Sequence, residues 1–138
     1  MTKFIITKGV SEYRATIPSC VRPSDTVLEI GFAWGTTTKI LSHYCKKVVG
    51  IDKGKSFFTA VKTYPELEFH QIDGFSISQV LALPYSFNKV YIDISGCRDL
   101  FTTIKILKMY ESALNPELIV IKASKLKRFV SQCEVLLS

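Results

Sequence analysis

The chain lacks any apolar run long enough to cross a lipid bilayer. A spanning helix needs about 20 consecutive apolar residues, and none of the hydrophobic stretches in these 138 residues approaches that length. The N-terminal segment MTKFIITKGVSEYRA also lacks the extended apolar core of a secretion signal. Hydrophobic residues still make up 47% of the chain, which argues against disorder. We therefore expect a folded, cytoplasmic protein.

Cysteine and histidine are scarce, and their spacing gives no sign of a metal site. The four cysteines lie far apart with no C-x-x-C pair, so we expect reduced thiols and no zinc. Neither of the two histidines has a third group at ligand spacing, so neither predicts a metal site or a nucleophilic triad. These residues are Cys20, Cys45, Cys97, Cys133, His43 and His70.

The order of apolar runs and helical segments predicts an α/β fold. No repeat, linker or low-complexity segment interrupts the chain, and its length suits one domain over residues 1–138. Strands and helices alternate from Val27 onward, as in a parallel sheet covered on both faces. The predicted strands are 27–31, 47–52, 67–71, 89–94 and 117–122, and the predicted helices are 35–45, 54–63, 76–83, 98–114 and 124–136. This five-strand core occupies residues 25–138, and residues 1–24 are predicted to form two short strands, 4–7 and 13–17.

The stretch from Val27 to Asp52 carries the strongest functional signal. It reads VLEIGFAWGTTTKILSHYCKKVVGID, which predicts a strand, a glycine turn, a helix and a second strand ending in an acid. Glycine at Gly31 and Gly35 permits positive φ and lets a ligand approach the backbone. About twenty residues separate Gly31 from Asp52, the usual distance between a nucleotide-binding turn and an acid that binds ribose hydroxyls. A branched residue at Gly31 is expected to abolish ligand binding while leaving the fold largely intact.

This segment resembles motif I of the class I S-adenosyl-L-methionine (SAM) methyltransferases, in which an acid usually stands two residues before the first glycine. The resemblance covers about residues 25–124. It implies SAM as cofactor, S-adenosyl-L-homocysteine (SAH) as product, and a single Rossmann-like sheet. The cofactor-binding residues it implies are Glu29, Gly31, Phe32, Ala33, Trp34, Gly35, Thr36, Thr37, Asp52, Lys53, Asp73, Gly74 and Asp93. The bulky Trp34 either stacks on the ligand or packs under the turn.

A dinucleotide-binding protein and an ordinary βαβ unit are the alternatives to this interpretation. A dinucleotide site favours G-x-G-x-x-G, with the pyrophosphate at the helix N-terminus. Here Ala33 replaces one of the expected glycines, and no further glycine opens the helix. An ordinary βαβ unit would place glycines at its turns without any ligand.

Polar residues also end the later strands, where ligands bind in doubly wound sheets. The resemblance implies that Asp73 binds the adenine amino group, although an Asx turn or helix cap would explain it equally. Asp93 and Lys122 each end a strongly apolar strand. On neighbouring strands they are predicted to form a pair that orients a substrate hydroxyl and in which burial makes Lys122 the acceptor of its proton. A lysine paired with a carboxylate only for stability is the alternative.

Three short segments are similar to fibrillarin and to related RNA 2′-O-methyltransferases. These are Gly31 to Thr37, the strand end at Asp93, and Ile121-Lys122-Ala123. Those enzymes use a lysine–aspartate–lysine set, of which Asp93 and Lys122 match the aspartate and the later lysine. Lys8 is the weak candidate for the earlier lysine. The Asn/Asp-Pro-Pro-aromatic motif of many amino-directed methyltransferases is missing here, which leaves hydroxyl, carbon or protein targets.

The net charge of +6 favours an anionic partner. Four basic residues near the C-terminus are candidates for RNA contacts, and a solvated basic face is the alternative. The resemblance also implies an edge hairpin for which the chain has no room. Either the N-terminal strands complete that edge, or a partner subunit does, with a homodimer favoured because an open apolar edge is a liability. The basic residues are Lys122, Lys125, Lys127 and Arg128.

The sequence thus predicts a SAM-dependent methyltransferase that acts on a nucleophile, with RNA as the leading acceptor. A methyltransferase for a protein or small molecule is one alternative, which an acidic or neutral cavity mouth would favour. A non-catalytic subunit that binds SAM or SAH is the other.

Overall fold

The computed structural model describes residues 1–94 and 99–137 and consists of one sheet with helices on both faces. The strands are Lys3–Thr7 (β1), Thr26–Ile30 (β2), Lys47–Ile51 (β3), Glu68–His70 (β4), Lys89–Ile92 (β5) and Leu118–Lys122 (β6). The helices are Val10–Ala15 (α1), Ile17–Cys20 (α2), Thr36–Ser42 (α3), Ser56–Thr63 (α4), Ile77–Leu81 (α5), Leu100–Leu114 (α6) and Ser124–Ser131 (α7).

All six strands run parallel, in the order β1-β6-β5-β2-β3-β4. Every strand therefore ends at the same edge of the sheet. The chain order reverses between β2 and β5, and such a reversal opens a crevice beyond the strand ends. The topology thus places a binding crevice next to the end of β2, where the glycine turn lies.

Alternating side chains of the strands divide the core between the two faces. Leu28 and Ile30 of β2 pack on one face with side chains of α5, α6 and α7. Val27 of β2 packs on the other face with side chains of α1, α2 and α3. The strands are apolar on both faces, as expected for a parallel sheet covered on both sides.

The five predicted core strands are all present, each within two residues of its predicted bounds. Of the two predicted N-terminal strands, 4–7 is present as β1, whereas the strand predicted at 13–17 is wrong, because residues 13–15 lie in α1 and Ile17 lies in α2. Tyr13 of α1 and Ile17 of α2 are both completely buried, and they pack in the same part of the core. The final helix ends at Ser131 and not at 136. The predicted start of the fourth helix at residue 98 lies outside the described residues.

The first N-terminal strand completes the sheet edge. β1 pairs in parallel with β6, so the described sheet has six strands and not five. Thr7 is the register partner of Lys122, which places the end of β1 next to the predicted catalytic strand end. A homodimer or a partner subunit stays a prediction. In the part of the chain that the structure describes, no helix is long and apolar enough to span a bilayer.

A buried ion pair anchors the opposite, amino-terminal edge of the sheet. Lys89 Nζ lies 2.8 Å from Asp25 Oδ2, and both side chains are at most 6% exposed. Asp25 also accepts hydrogen bonds from the Arg22 backbone N–H and the Asn88 side-chain amide. With both carboxylate oxygens of Asp25 engaged, this cluster holds the loop before β2 and serves the fold.

Candidate functional site

A cavity of about 440 Å³ opens at the carboxyl edge of the sheet. Its size falls within the range typical of small-molecule and cofactor sites. Its walls combine apolar side chains with carboxylates and two lysines. The lining residues are Ile30, Gly31, Ala33, Ile51, Asp52, Lys53, Asp73, Gly74, Phe75, Asp93, Ile94 and Lys122.

Gly31 brings the ends of β2 and β5 into close contact. It adopts φ of 83°, and a Cβ built at this position would lie 2.0 Å from the Asp93 carbonyl oxygen. The Gly31 N–H donates to the Ile51 carbonyl at 2.8 Å, which ties the same residue to β3. Glycine is therefore required here by the backbone of β5 as well as by any ligand. The expectation that a branched residue leaves the fold intact is wrong, because it overlooked this contact.

Asp52 holds the glycine turn from the end of β3. Its Oδ2 accepts a hydrogen bond from the Ala33 N–H at 2.8 Å, and its Oδ1 accepts one from the Gly54 N–H at 2.8 Å. Ala33 itself has φ of 50°, a left-handed conformation that is uncommon outside glycine. Each carboxylate oxygen retains a second lone pair that a ribose hydroxyl would use.

Asp73 forms the turn after β4 and also reaches the cavity wall. Its Oδ1 accepts a hydrogen bond from the Phe75 N–H at 2.9 Å, which is an Asx turn. The predicted turn role is therefore present, and a contact with an adenine amino group stays a prediction. Gly74 fits tightly behind it, because an added Cβ would lie 2.6 Å from Ile30 Cγ2.

Asp93 and Lys122 form an ion pair across β5 and β6. Lys122 Nζ lies 2.9 Å from Asp93 Oδ1, and the side chains are 22% and 20% exposed respectively. Both residues line the cavity, so the pair is open to a bound molecule. Such a pair can orient a hydroxyl group and accept its proton. The predicted pairing is confirmed, and the catalytic role stays a prediction.

Glu29 lies beneath the glycine turn and not among the cavity-lining residues. It is 1% exposed and accepts hydrogen bonds from the Thr38 hydroxyl at 2.5 Å and the Tyr13 hydroxyl at 3.1 Å. Burial raises the pKa of Glu29 to about 8, although these two hydrogen bonds favour the carboxylate and oppose the shift. Glu29 therefore supports the glycine turn from below and does not line the cavity.

Five other residues of the predicted cofactor site lie outside the cavity wall. Phe32 is buried, with its ring centroid 4.5 Å from that of Phe69. Trp34 is 62% exposed, so it does not pack under the turn, and stacking on a ligand stays a prediction. Gly35 is buried and is the residue before α3. The remaining two are Thr36, which is exposed, and Thr37, which is buried.

Sequence reasoning missed the N-terminal contribution to the turn. Arg14 Nε donates to the Thr37 hydroxyl at 2.9 Å, one residue along α1 from the Tyr13–Glu29 hydrogen bond. The four-residue spacing of Tyr13 and Ile17 fits one face of a strand as well as one face of a helix, so it does not distinguish the two. Phe75 and Ile94 were also missed, and both line the cavity.

The basic residues near the C-terminus divide into two kinds. Lys122 is paired with Asp93, and Lys127 Nζ lies 2.7 Å from Glu12 Oε1. Lys125 and Arg128 are exposed on α7. Within the described residues no cluster of histidine, cysteine and acidic side chains could hold a metal ion. Cys97 lies outside that part of the chain, and Cys20, Cys45 and Cys133 are free thiols.

Solved structures show that the chain has the class I SAM-dependent methyltransferase fold. A dimethyladenosine transferase from Plasmodium falciparum matches with a TM-score of 0.68 and 19% identity over 94% of this chain. An rRNA methylase from Streptococcus thermophilus matches with a TM-score of 0.62 and 11% identity over 93% of this chain. SMU.1697c from Streptococcus mutans, in complex with SAH, matches with a TM-score of 0.63 and 12% identity over 94% of this chain. A fibrillarin/Nop5p complex also matches, with a TM-score of 0.55 and 20% identity over 68% of this chain.

The chain spans about half of the first of these proteins, 47% of its length. It spans 81% of the S. thermophilus protein, 85% of the S. mutans protein and 46% of the fibrillarin chain. No family model matches the sequence. No curated protein matches it either. These matches therefore show a shared fold. The similarity to fibrillarin that the sequence predicts is present at this level.

Replacing Gly31 by alanine should destabilise the fold. The positive φ costs a non-glycine residue about 1–2 kcal/mol, and overpacking against the Asp93 carbonyl costs about 1–3 kcal/mol more. We expect the free energy of unfolding in denaturant to fall by about 2–5 kcal/mol. Gly9→Ala is the control, because a Cβ there meets nothing within 4 Å. Equal stabilities of the two variants would contradict the close approach of β2 and β5.

The buried Glu29 should make stability depend on pH. Its folded pKa of about 8 lies above its ordinary value, so as pH rises the unfolded chain loses this proton first. The contribution of Glu29 is therefore largest below about pH 4.5, falls as pH rises, and levels off above about pH 8. Glu29→Gln keeps the shape but does not titrate. We expect the parent to lose stability relative to this variant between these pH values.

Chemical unfolding of both proteins at several pH values measures this difference. Glu66→Gln is the control, since Glu66 forms an exposed ion pair with Lys39. A stability difference between the parent and Glu29→Gln that stays constant with pH would show that Glu29 is ionised in the folded protein.

Proposed function

We propose that this protein binds SAM and transfers its methyl group to a nucleophile. The observation that carries the proposal is the cavity in which Gly31, Asp52 and Asp73 meet the Asp93–Lys122 pair. The fold supports it, and one structural neighbour is a complex with SAH.

The residues on the wall suit the parts of SAM. Asp52 would accept hydrogen bonds from the ribose hydroxyls, and Asp73 would accept one from the adenine amino group. Ile51, Phe75 and Ile94 offer apolar surface for the adenine ring. When bound, SAM supplies an activated methyl group on a sulfonium.

The Asp93–Lys122 pair would then act on the acceptor. Lys122 approaches the cavity from β6 and Asp93 from β5, so an acceptor hydroxyl placed between them has a hydrogen-bond donor and an acceptor within reach. The pair would orient the hydroxyl and take its proton while the bond from the hydroxyl oxygen to the methyl carbon forms, the bond from that carbon to the sulfonium sulfur breaks, and SAH leaves. Positioning and a single proton transfer are all that this reaction requires of the protein.

RNA is the acceptor that we propose first. Lys125 and Arg128 are exposed one helical turn apart on α7, which starts directly after the strand that ends in Lys122. The net charge of +6 adds a favourable field for a polyanion. Two of the structural neighbours are an rRNA methylase and a dimethyladenosine transferase.

A small-molecule or protein acceptor is favoured by one specific observation. The cavity wall itself carries three aspartates and two lysines, so it is not basic. A non-catalytic SAM-binding subunit is the further alternative, since the Asp93–Lys122 pair is already satisfied without a substrate. The cytoplasmic location stays a prediction from the sequence.

Replacing Asp52 by alanine should weaken SAM binding measured by calorimetry. Losing hydrogen bonds from two hydroxyls to a charged group costs about 1.5–3 kcal/mol, or roughly ten- to 150-fold in affinity. The affinity for SAH should fall by a similar factor, and NAD should not bind the parent protein. Glu66→Ala is the control, because Glu66 is an exposed acid outside the cavity. Unchanged affinity in a folded Asp52→Ala protein would contradict the ribose assignment.

Replacing either member of the ion pair should remove methyl transfer without removing SAM. We expect Lys122→Met and Asp93→Asn each to lower the rate about 10²–10⁴-fold, the usual worth of a positioned acid–base group. Transfer of a labelled methyl group to cellular RNA measures the rate, and calorimetry measures SAM affinity. Lys127→Met is the control, since its ion pair with Glu12 lies outside the cavity. Normal transfer by both variants would contradict the assignment.

A further inference from the structure

The first turn of α6 exposes apolar and basic side chains together. Phe101 is 87% exposed and Ile104 is 44% exposed, although both are large hydrophobic residues. Lys105 is also exposed and follows Phe101 by four residues, so the two share one helix face. We call Phe101, Ile104 and Lys105 the α6 rim. An exposed phenylalanine beside a lysine has no role in the packing of the sheet.

The α6 rim lies next to the cavity. α6 follows β5 along the chain, so it starts at the carboxyl edge of the sheet, where the cavity opens. Lys105 Nζ lies 6.0 Å from the ring centroid of Phe75, which lines the cavity. Further along α6, the Tyr110 hydroxyl donates to the carbonyl of Gly74, another lining residue. A polymer whose reacting group entered the cavity would therefore pass over the rim.

The charges on α6 make the rim attractive to phosphate. Asp99 caps the helix and is occupied by the N–H and hydroxyl of Thr102. Lys108 is paired with Glu111. Lys105 Nζ lies over the Phe75 ring, and none of the ion pairs that the structure describes includes it, so no carboxylate among them neutralises its charge.

We propose that the α6 rim binds a nucleotide of single-stranded RNA adjacent to the one that is methylated. The face of Phe101 stacks on a base, and Lys105 contacts a neighbouring phosphate. This inference rests on the proposed function with RNA as acceptor.

Single-stranded RNA fits the rim better than a protein partner does. Stacking on one aromatic side chain needs an exposed base face, which a single strand offers and a duplex does not. The rim presents only two apolar side chains, too small an apolar area for a stable protein interface. One aromatic ring and one cation are instead the elements with which proteins bind single strands.

The α4 helix provides a matched control. Phe58 and Lys62 have the same four-residue spacing as Phe101 and Lys105, and both are exposed, with Phe58 at 62%. Neither residue lines the cavity. Removing them changes the surface charge by the same amount as removing the rim residues, and it also deletes one exposed phenylalanine ring.

The test measures binding of a fluorescein-labelled single-stranded RNA of about 20 nucleotides and mixed sequence by anisotropy. Phe101→Ala should weaken binding about five- to 150-fold, the usual effect of losing one stacked base. Phe101→Trp should retain the affinity of the parent. Lys105→Gln should reduce the slope of log affinity against log salt by about 0.7, the effect of one lost phosphate contact.

The outcomes divide clearly. Loss of affinity in Phe101→Ala, retention in Phe101→Trp and no change in Phe58→Ala or Lys62→Gln would support the proposal. It would be overturned by a parent protein that binds no RNA at low salt, by unchanged affinity in Phe101→Ala, or by equal losses in the α4 variants. A duplex of the same sequence that binds as tightly as the single strand would overturn it too.

Calorimetry with SAM on the same proteins separates this inference from the proposed function. The rim residues do not line the cavity, so SAM affinity should be the same in the parent, rim and α4 variants. If the parent protein binds SAM but no RNA, the proposal that the α6 rim binds RNA is refuted, and the proposal that the protein binds SAM is unaffected. A parent that does not bind SAM would refute the proposed function, whatever the RNA result.

Discussion

The close approach of Gly31 to the Asp93 carbonyl is the contact on which the site depends. It holds the end of β2 against the end of β5, at the place where the strand order reverses. A side chain at Gly31 would push the two strand ends apart. Asp52, which holds the turn through the Ala33 N–H, and the Asp93–Lys122 pair would then no longer face one cavity.

The N-terminal segment supports this contact from below. Tyr13 donates to Glu29 and Arg14 donates to Thr37, so α1 is bonded to the strand before the glycine turn and to the helix after it. β1 meanwhile pairs with β6 up to Lys122. A segment that looked peripheral in the sequence therefore fixes both the turn and one end of the ion pair. Proton uptake by the buried Glu29 links this support to pH.

Ion pairs within the protein decide which lysines remain available to a partner. Lys122 and Lys127 are bound to carboxylates, and breaking such a pair to bind a phosphate gains little net energy. Lys105, Lys125 and Arg128 are exposed cations near the carboxyl edge. A count of basic residues therefore overstates the number of cations that are available to an anionic partner.

The sequence by itself determined the parallel core and the position of its site. Short apolar runs such as Val27 to Ile30, which alternate with helical segments, favour buried parallel strands, and the polar residues that follow such strands meet at one edge of the sheet. Tertiary structure decided what these local patterns leave open. Residues 13–17 alternate like a strand, but residues 13–15 lie in α1 and Ile17 lies in α2, and both Tyr13 and Ile17 pack into the core on one face of the sheet. Likewise, Glu29 was expected to bind the ligand but instead supports the glycine turn as a buried residue. Its side chain points to the face of the sheet that α1 covers, where Tyr13, which is distant in the sequence, donates a hydrogen bond to it.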